Sequence, residues 1–263
     1  MTEVYSIPYD YEGVRSSIQM EACNGRDQVA VQARNTGWRS YEAPMPLVLS
    51  RLIGAKPCAF IDIGANTGFY SFIAARAGAT VLHAFEPVPF IAEILLANTQ
   101  HNFKEGCEII QVYNYALSNS IGETYLYLPD QSHCLIEISA SLNPEFRREH
   151  SDVLKIKVST LDTHLELEPI SPQLSLLIKI DVESFEPQVL QGAAKTILNR
   201  RPAILLEILP EADLEFYENW IAKHNYRHFQ LLPLNNVIFA NKIEASLRHR
   251  DHLLLPEEYM FPS

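Results

Sequence analysis

A chain of 263 residues is long enough for one elaborated domain or two small ones, and it can bury a real hydrophobic core. Hydrophobic residues make up 47% and charged residues 20%, the balance of a folded globular chain, which excludes intrinsic disorder and coiled coil. With 21 Lys and Arg against 32 Asp and Glu, the formal net charge of −11 repels phosphate backbones, so no nucleic-acid partner is expected.

The four cysteines, Cys23, Cys58, Cys107 and Cys134, are far apart and form no C-x-x-C pair, so neither a zinc site nor a disulfide framework is indicated. Free thiols in a reducing cytoplasm are the expectation. The first residues, MTEVYSIPYDYEG, have neither a basic n-region nor an apolar h-region. No run approaches the ~18 apolar residues that span a bilayer, and the chain reads as soluble and cytoplasmic.

Residues 1–57 are mixed in texture, with β-like pieces such as Gln28 to Gln32, the breakers Pro44, Pro46 and Pro57, and one helical period over Pro46 to Ile53. They read as an N-terminal extension to a domain spanning 58–263. At Cys58 the texture changes to CAFIDIG, a short apolar run ending at glycine, as a buried parallel strand does. A helix over Phe69 to Ala77 follows, then the strand TVLHAFEP and a helix over Pro89 to Asn102, where Ile91, Ile94, Leu95 and Asn98 recur at helical spacing. Units of this kind are right-handed βαβ crossovers.

EIIQVYNYALS and ETYLYLP read as two strands about the turn residues Asn119, Ser120 and Gly122. From Pro129 to about Ser151 the chain is polar and aperiodic, a long loop of the kind that is functional or disordered. KIKVSTLDTHL is a strand entering a short helix, LSLLIKIDVE a buried strand ending in acids, and Pro187 to Arg200 a helix with proline at its start. AILLEILP is the next strand, Ala212 to His224 the next helix, and HFQLLPLNNVIFAN a β-hairpin on the sheet edge. The fold class that results is α/β, a doubly wound, mostly parallel sheet of seven-stranded type with an antiparallel C-terminal hairpin.

Open α/β sheets bind ligands outside the carboxyl ends of their strands, beside the switch point. Two strand ends carry suitable chemistry. In DIGANTGFYS, Asp62 closes a strand, Gly64 and Gly68 bracket a turn that a ligand can approach closely, and a helix begins with free N–H groups. Glu86, in HAFEP, follows Asp62 by 24 residues at the end of the next strand, near the spacing at which a carboxylate accepts hydrogen bonds from both ribose hydroxyls. Together they indicate a nucleoside cofactor, for which dinucleotide oxidoreductases and S-adenosylmethionine (SAM) methyltransferases compete. A dinucleotide site wants G-x-G-x-x-G, and Asn66 occupies the place of its central glycine. SAM has no phosphate to cradle, and its cationic amino-acid end suits a carboxylate such as Asp62, so SAM is favoured, with S-adenosyl-L-homocysteine (SAH) as product.

The segments FIDIGANTGFYSFIAA, HAFEP, YALSNSIGE, VSTLDTHL, LLIKIDVESFEPQVLQGAAKTI and RPAILLEI, across roughly residues 58–208, resemble the FkbM-family methyltransferases in order and spacing. The resemblance implies a class I SAM-dependent methyltransferase fold and transfer to a hydroxyl oxygen of a sugar, glycan or secondary metabolite. It implies that Asp62, Gly64, Ala65, Asn66 and Gly68 surround the methionine part of SAM, with Phe69 and Tyr70 opening the helix beneath. It also implies Glu86 on the ribose, Pro87 beside the adenine, and Ala116 and Leu117 lining the adenine pocket. One departure stands out: after the acid at Glu183 the family usually has glycine, and this chain has Ser184.

For catalysis the acids at the strand ends are the candidates. Methyl transfer needs the acceptor positioned and its proton removed, and Asp181 or Glu183, with Glu207 on the following strand, could supply the base. The alternative role for Asp181 and Glu186 is to cap the next helix. Asp181 and Glu207 are compatible with a divalent cation such as Mg²⁺, but two acids define no site, and no metal is predicted. His83 reads as a core residue and His133 and His150 as loop residues, either solvated or supplying a base from a lid; Ser139, Ser141 and Asn143 resemble the family's serine-containing segment, which implies that they gate or line the acceptor pocket, with a surface loop as the alternative. Two other functions stay open, an NAD-dependent Rossmann oxidoreductase and a non-catalytic SAM-binding domain. A homo-oligomer is also left open.

Overall fold

The computed structural model describes residues 3–104, 109–129, 136, 142, 150–233, 236–246 and 250–260. The chain begins with an antiparallel pair, β1 (Val4–Tyr11) and β2 (Val14–Glu21), followed by a 3-10 turn at Cys23–Gly25, α1 (Gln28–Thr36) and α2 (Met45–Gly54). The stretch Gln28 to Gln32, read from its β-branched content as strand-like, is therefore helical. Asp27 accounts for the difference, because its Oδ1 accepts the Ala30 N–H at 3.1 Å as an N-cap and sets Val29, Ala30 and Ala33 on the buried face.

The α/β unit then runs β3 (Cys58–Ile63), α3 (Phe69–Ala77), β4 (Val81–Phe85), α4 (Pro89–Asn102) and β5 (Ile110–Tyr113). After β6 (Ala116–Leu117), β7 (Gly122–Pro129) and β8 (His150–Ser159) come α5 (Leu161–Leu167), β9 (Ser175–Ile180), α6 (Glu186–Gly192) and α7 (Ala194–Arg200). β10 (Ala203–Glu207), α8 (Leu214–His224), β11 (Tyr226–Leu232), β12 (Asn236–Phe239) and β13 (Asp251–Pro256) complete it. The main sheet has the order β12-β11-β13-β10-β9-β3-β4-β5, parallel from β10 to β5, with β13 antiparallel to both β10 and β11. It is the expected mostly parallel α/β sheet, with its switch point between β3 and β9.

Four details depart from the sequence reading. EIIQVYNYALS divides into β5 of the main sheet and β6 of a separate sheet ordered β6-β8-β7. The helix expected over Pro187 to Arg200 divides at Ala193, and the end of its first half rests so closely on the Ser118 carbonyl that only glycine fits at 192. β11 and β12 do form the edge hairpin, but β13, too short an apolar run to be read, lies between it and β10. β12 makes the main sheet one strand wider than seven.

Alternation along the central strands sends side chains to two cores. Phe60, Leu177, Ala203 and Leu205 face one layer, where α2 and α3 lie with Ile7, Ile18 and Met20 of the first hairpin. Ala59, Ile61, Ile178, Ile204 and Leu206 face the other, where α6, α7 and α8 supply Val189, Leu190, Ile197, Tyr217 and Trp220. The residues before 58 thus contribute to the same apolar cluster as the sheet. Among the described residues no helix is long and apolar enough to cross a membrane. Since Ile18 is fully buried in that cluster, Ile18→Ala should lower stability by about 2–5 kcal/mol in one cooperative urea transition. A loss confined to a separate early transition would show that the hairpin folds as an appendage.

Candidate functional site

The carboxyl ends of β3, β4 and β9 open into a cleft of about 960 Å³, open in part to solvent. Gly64, Ala65, Asn66, Phe69, Tyr70, Glu86, Pro87, Ala116, Leu117, Asp181 and Glu183 line it, as do Tyr41, Glu42 and Lys179.

Backbone geometry positions Glu86. The N–H groups of Gly64 and Ala65 both donate to the Phe85 carbonyl, at 3.1 and 2.9 Å, tying the turn after β3 to the end of β4. Asn66 adopts a left-handed φ of 51° and points its N–H at Glu86 Oε2, 3.0 Å away. The Val88 N–H donates to Oε1 at 2.9 Å, so each carboxylate oxygen has one backbone donor and a lone pair left over. Burial pushes the Glu86 carboxyl up to about 7 against the pull of these hydrogen bonds. The turn glycines are demanded by protein packing: a Cβ at Gly64 would collide with the Asp181 carbonyl, and one at Gly68 with Leu95 and Phe72. Gly68 itself does not line the cleft.

Apolar surface forms the wall beside Glu86. Phe85 stacks on Tyr113 with ring centroids 5.1 Å apart, and Val88, Ile91 and Leu126 join Ala116 and Leu117. Behind the wall, His83 Nδ1 lies 2.7 Å from His164 Nε2, and the Tyr115 hydroxyl 2.7 Å from His164 Nδ1. Burial pushes both histidines down to about 4, with the His83 ring adding to the effect on His164, so both are neutral at pH 7. His83 is the hydrogen-bonded core residue its strand context implies. Ser139, Ser141, Asn143 and His133 lie outside the described residues, and of His150 only the backbone is described.

At the other end, Lys179 is buried as the penultimate residue of β9. Its Nζ lies 2.9 Å from Asp181 Oδ2, 4.0 Å from Asp62 Oδ1 and 4.9 Å from the centre of the Tyr70 ring. Burial pulls the ammonium down, but the Asp181 and Asp62 charges outweigh it and hold the lysine protonated. Burial likewise pushes Asp181 up, and Lys179 overrides it to keep the carboxyl below its usual range. Glu207 is driven up to about 11 by burial and by the Asp181 and Glu183 charges. It is therefore a neutral acid at pH 7, hydrogen-bonded to Asp181, with Arg250 Nε 3.2 Å from its Oε1. Glu207 does not line the cleft, and a carboxyl that already carries its proton cannot take one. Of the three candidate bases, the fold brings Asp181 and Glu183 to the cleft. Asp62 is not in the lining either: it is 1% exposed, Ser71 Oγ donates to its Oδ2 at 2.7 Å, and its Oδ1 has no hydrogen-bond partner.

The loop after β9 is strained. Glu183 and Ser184 have φ of 53° and 71°, a region that favours glycine, and Ser184 Oγ is buried without a hydrogen bond. That is the physical sense of the glycine that Ser184 replaces. Glu186 holds the loop, its Oε1 accepting the Val182 N–H at 3.1 Å, and burial pushes its carboxyl up to about 7. Its part is structural, but it is not the expected helix cap: α6 begins at Glu186 with Phe185 as N-cap and no side-chain cap hydrogen bond. Among the described residues no group of three or more His, Cys, Asp or Glu is placed to hold a metal ion.

Sequence reading missed Lys179, Tyr41, Glu42 and Arg250. A lone lysine inside LSLLIKIDVE was a legible signal, because an unpaired charge does not survive in a buried strand. Tyr41 and Glu42 carried none, since only tertiary packing folds the loop between α1 and α2 over α3.

The family model for the FkbM methyltransferase domain matches residues 62–228. No curated protein matches the sequence. Among solved structures, the chain is similar to the methyltransferase FkbM of Methylobacillus flagellatus, with 16% identity, a TM-score of 0.49, and coverage of 76% of this chain and 43% of that one. It is also similar to an O-methyltransferase of Bacillus cereus solved with SAH, with 14% identity, a TM-score of 0.47, and coverage of 85% and 84%. This chain spans less than half the length of the Methylobacillus protein.

Replacing Ser184 by glycine should relieve the left-handed strain and raise the urea midpoint by the equivalent of about 0.5–1 kcal/mol. A lower midpoint would refute the strain. Glu186, protonated to about 7 in the folded chain against 4.5 unfolded, favours the unfolded chain progressively as pH rises between those values. Glu186→Gln removes that term, so its stability relative to the parent should climb between about pH 5 and about pH 8. A difference that stays flat in matched urea titrations would show that Glu186 is ionised throughout.

Proposed function

The chain belongs to the FkbM methyltransferase family, and on that premise we propose that it is a SAM-dependent O-methyltransferase acting on a hydroxyl of a sugar, glycan or secondary metabolite. The observation that carries the reading is Glu86: both carboxylate oxygens are fixed by backbone N–H groups and each keeps a lone pair for a ligand beside an apolar wall. A nucleoside needs that pairing, two hydroxyl contacts next to a surface for its base.

The cleft residues fit the donor. Glu86 would accept the ribose hydroxyls; Phe85, Pro87, Ala116 and Leu117 would hold the adenine; Gly64, Ala65, Asn66, Phe69 and Tyr70 would flank the methionine part. When bound, SAM supplies a methyl group made electrophilic by its sulfonium. The protein's own task is to orient an acceptor hydroxyl and take its proton. Asp181, held anionic by Lys179, suits orientation and charge complementarity more than proton uptake, and Glu183 on the same loop is the second candidate for the proton. Residues 58–263 form the catalytic unit in this reading, and residues 1–57 close its cleft through Val29, Tyr41 and Glu42. Free thiols at Cys23 and Cys58 suit a reducing cytoplasm.

Thermal unfolding with and without SAH, on the parent and on Glu86→Ala, tests the reading. A ligand at 100 times its Kd adds about 2.7 kcal/mol, so the parent should shift upward and the variant should not. A shift with NAD and none with SAH would replace the reading by an oxidoreductase, and no shift with either would overturn the cofactor assignment.

A further inference from the structure

The amino-acid end of the donor carries an α-ammonium, and the expectation was that Asp62 would face it. Asp62 is sealed: it lies outside the cleft lining, with Ser71 on one carboxylate oxygen and Lys179 as its nearest cation. Of the other acids at this end, Glu183 lines the cleft from the strained loop after β9, where it is the candidate for the acceptor proton, and two more are already engaged. Asp181 is neutralised by Lys179 at 2.9 Å, and Glu207 is a neutral acid away from the lining. Asp251, on β13, is not in the lining either.

Glu42 is different. It reaches the cleft from the loop between α1 and α2, outside the matched family segment 62–228. Its backbone takes a left-handed φ of 49°, a conformation that costs energy for a residue with a Cβ and recurs at ligand sites. The Tyr70 hydroxyl donates to its Oε2 at 2.7 Å, anchoring the carboxylate to the first turn of α3. Tyr41 beside it packs edge-on against Phe69, with centroids 4.9 Å apart and planes at 77°. Oε1 has Arg250 Nη2 at 3.5 Å, but that guanidinium is shared with Glu207 and 40% exposed, so Glu42 is only partly neutralised. Glu42 is partly open to the cleft, its side chain 25% exposed, and burial together with the Asp181 charge raises its carboxyl above the usual range against the pull of Tyr70, Lys179 and Arg250.

The geometry points to Glu42 as the carboxylate that binds the α-ammonium of the donor, so that the N-terminal segment completes the cofactor site. The inference rests on the SAM reading above. A cation placed there adds positive charge beside a Glu42 carboxylate that the Asp181 charge opposes, and the Tyr70 hydrogen bond fixes that carboxylate before the ligand arrives. Asp62, outside the lining, then belongs to the platform beneath, where Lys179 balances it and Asp181.

Two ligands separate this role from a structural one. SAH has the amino-acid end, whereas 5′-methylthioadenosine keeps the adenosine and the sulfur and lacks it. Calorimetric titration of Glu42→Gln should show SAH weakened about 10-fold or more, with methylthioadenosine binding as it does to the parent. Equal weakening of both ligands would make Glu42 a shaper of the cleft, and no weakening of either would place the ammonium elsewhere; both outcomes overturn the inference. A parent that binds neither ligand overturns the SAM reading itself. Should Glu42→Gln not fold, Glu42→Asp tolerates the left-handed backbone and withdraws the charge by one methylene, and the same selective loss is expected from it.

Discussion

The buried ammonium of Lys179 is the interaction on which the strand-end architecture depends. Asp62, sealed from water, and Asp181, at the cleft's edge, stand at the carboxyl ends of neighbouring strands, where two anions would repel each other and Asp62 would lose its hydration. One lysine between them, covered by the Tyr70 ring, offsets both. Removing one partner of such a buried cluster leaves a charge uncompensated, at a cost of about 3–5 kcal/mol. The same cation decides how protons are distributed around the cleft: Asp181 stays ionised, and its charge helps force Glu207 to remain a neutral acid.

Around that platform the cleft is assembled from remote parts of the chain. β3 and β9 bring the acids and the lysine, β4 brings Glu86, and the turn after β3 reads both neighbours through Phe85 and Asp181. The loop between α1 and α2 adds Tyr41 and Glu42, and Arg250, just before β13, joins Glu42 to Glu207. The two ends of the cleft are built on different principles. Glu86 is held by backbone N–H groups beside apolar side chains, which suits recognition of hydroxyls and a flat base. The Glu42 and Asp181 end is held by ion pairs and one tyrosine, which suits recognition of charge.

Left-handed backbone recurs at or beside the cleft, at four of the nine described non-glycine residues with a positive φ. Asn66, Glu42, Glu183 and Ser184 all hold a positive φ without being glycine, and Glu42, Asn66 and Glu183 line the cleft. Their surroundings hold them there: Glu86 receives the Asn66 N–H, Tyr70 holds Glu42, and Glu186 pins the Val182 N–H ahead of Glu183. Pre-organisation of this kind puts polar groups where a ligand meets them, and the fold sustains the cost elsewhere, in its two apolar cores.

By itself the sequence determined the parallel α/β core, the helices that begin at Phe69 and Pro89, and the cleft at the switch point with Glu86 on it. Those features are local or periodic: apolar runs ended by glycine, helical spacing, and an acid at a strand end. Tertiary structure alone decided that Asp62 is sealed, that Glu207 is neutral, that β13 inserts beside β10, and that Glu42 enters the cleft from a segment with no motif of its own. Burial and the sum of neighbouring charges set whether an acid is exposed, ionised or paired, and those quantities exist only once distant strands and loops have been brought within a few ångströms of one another.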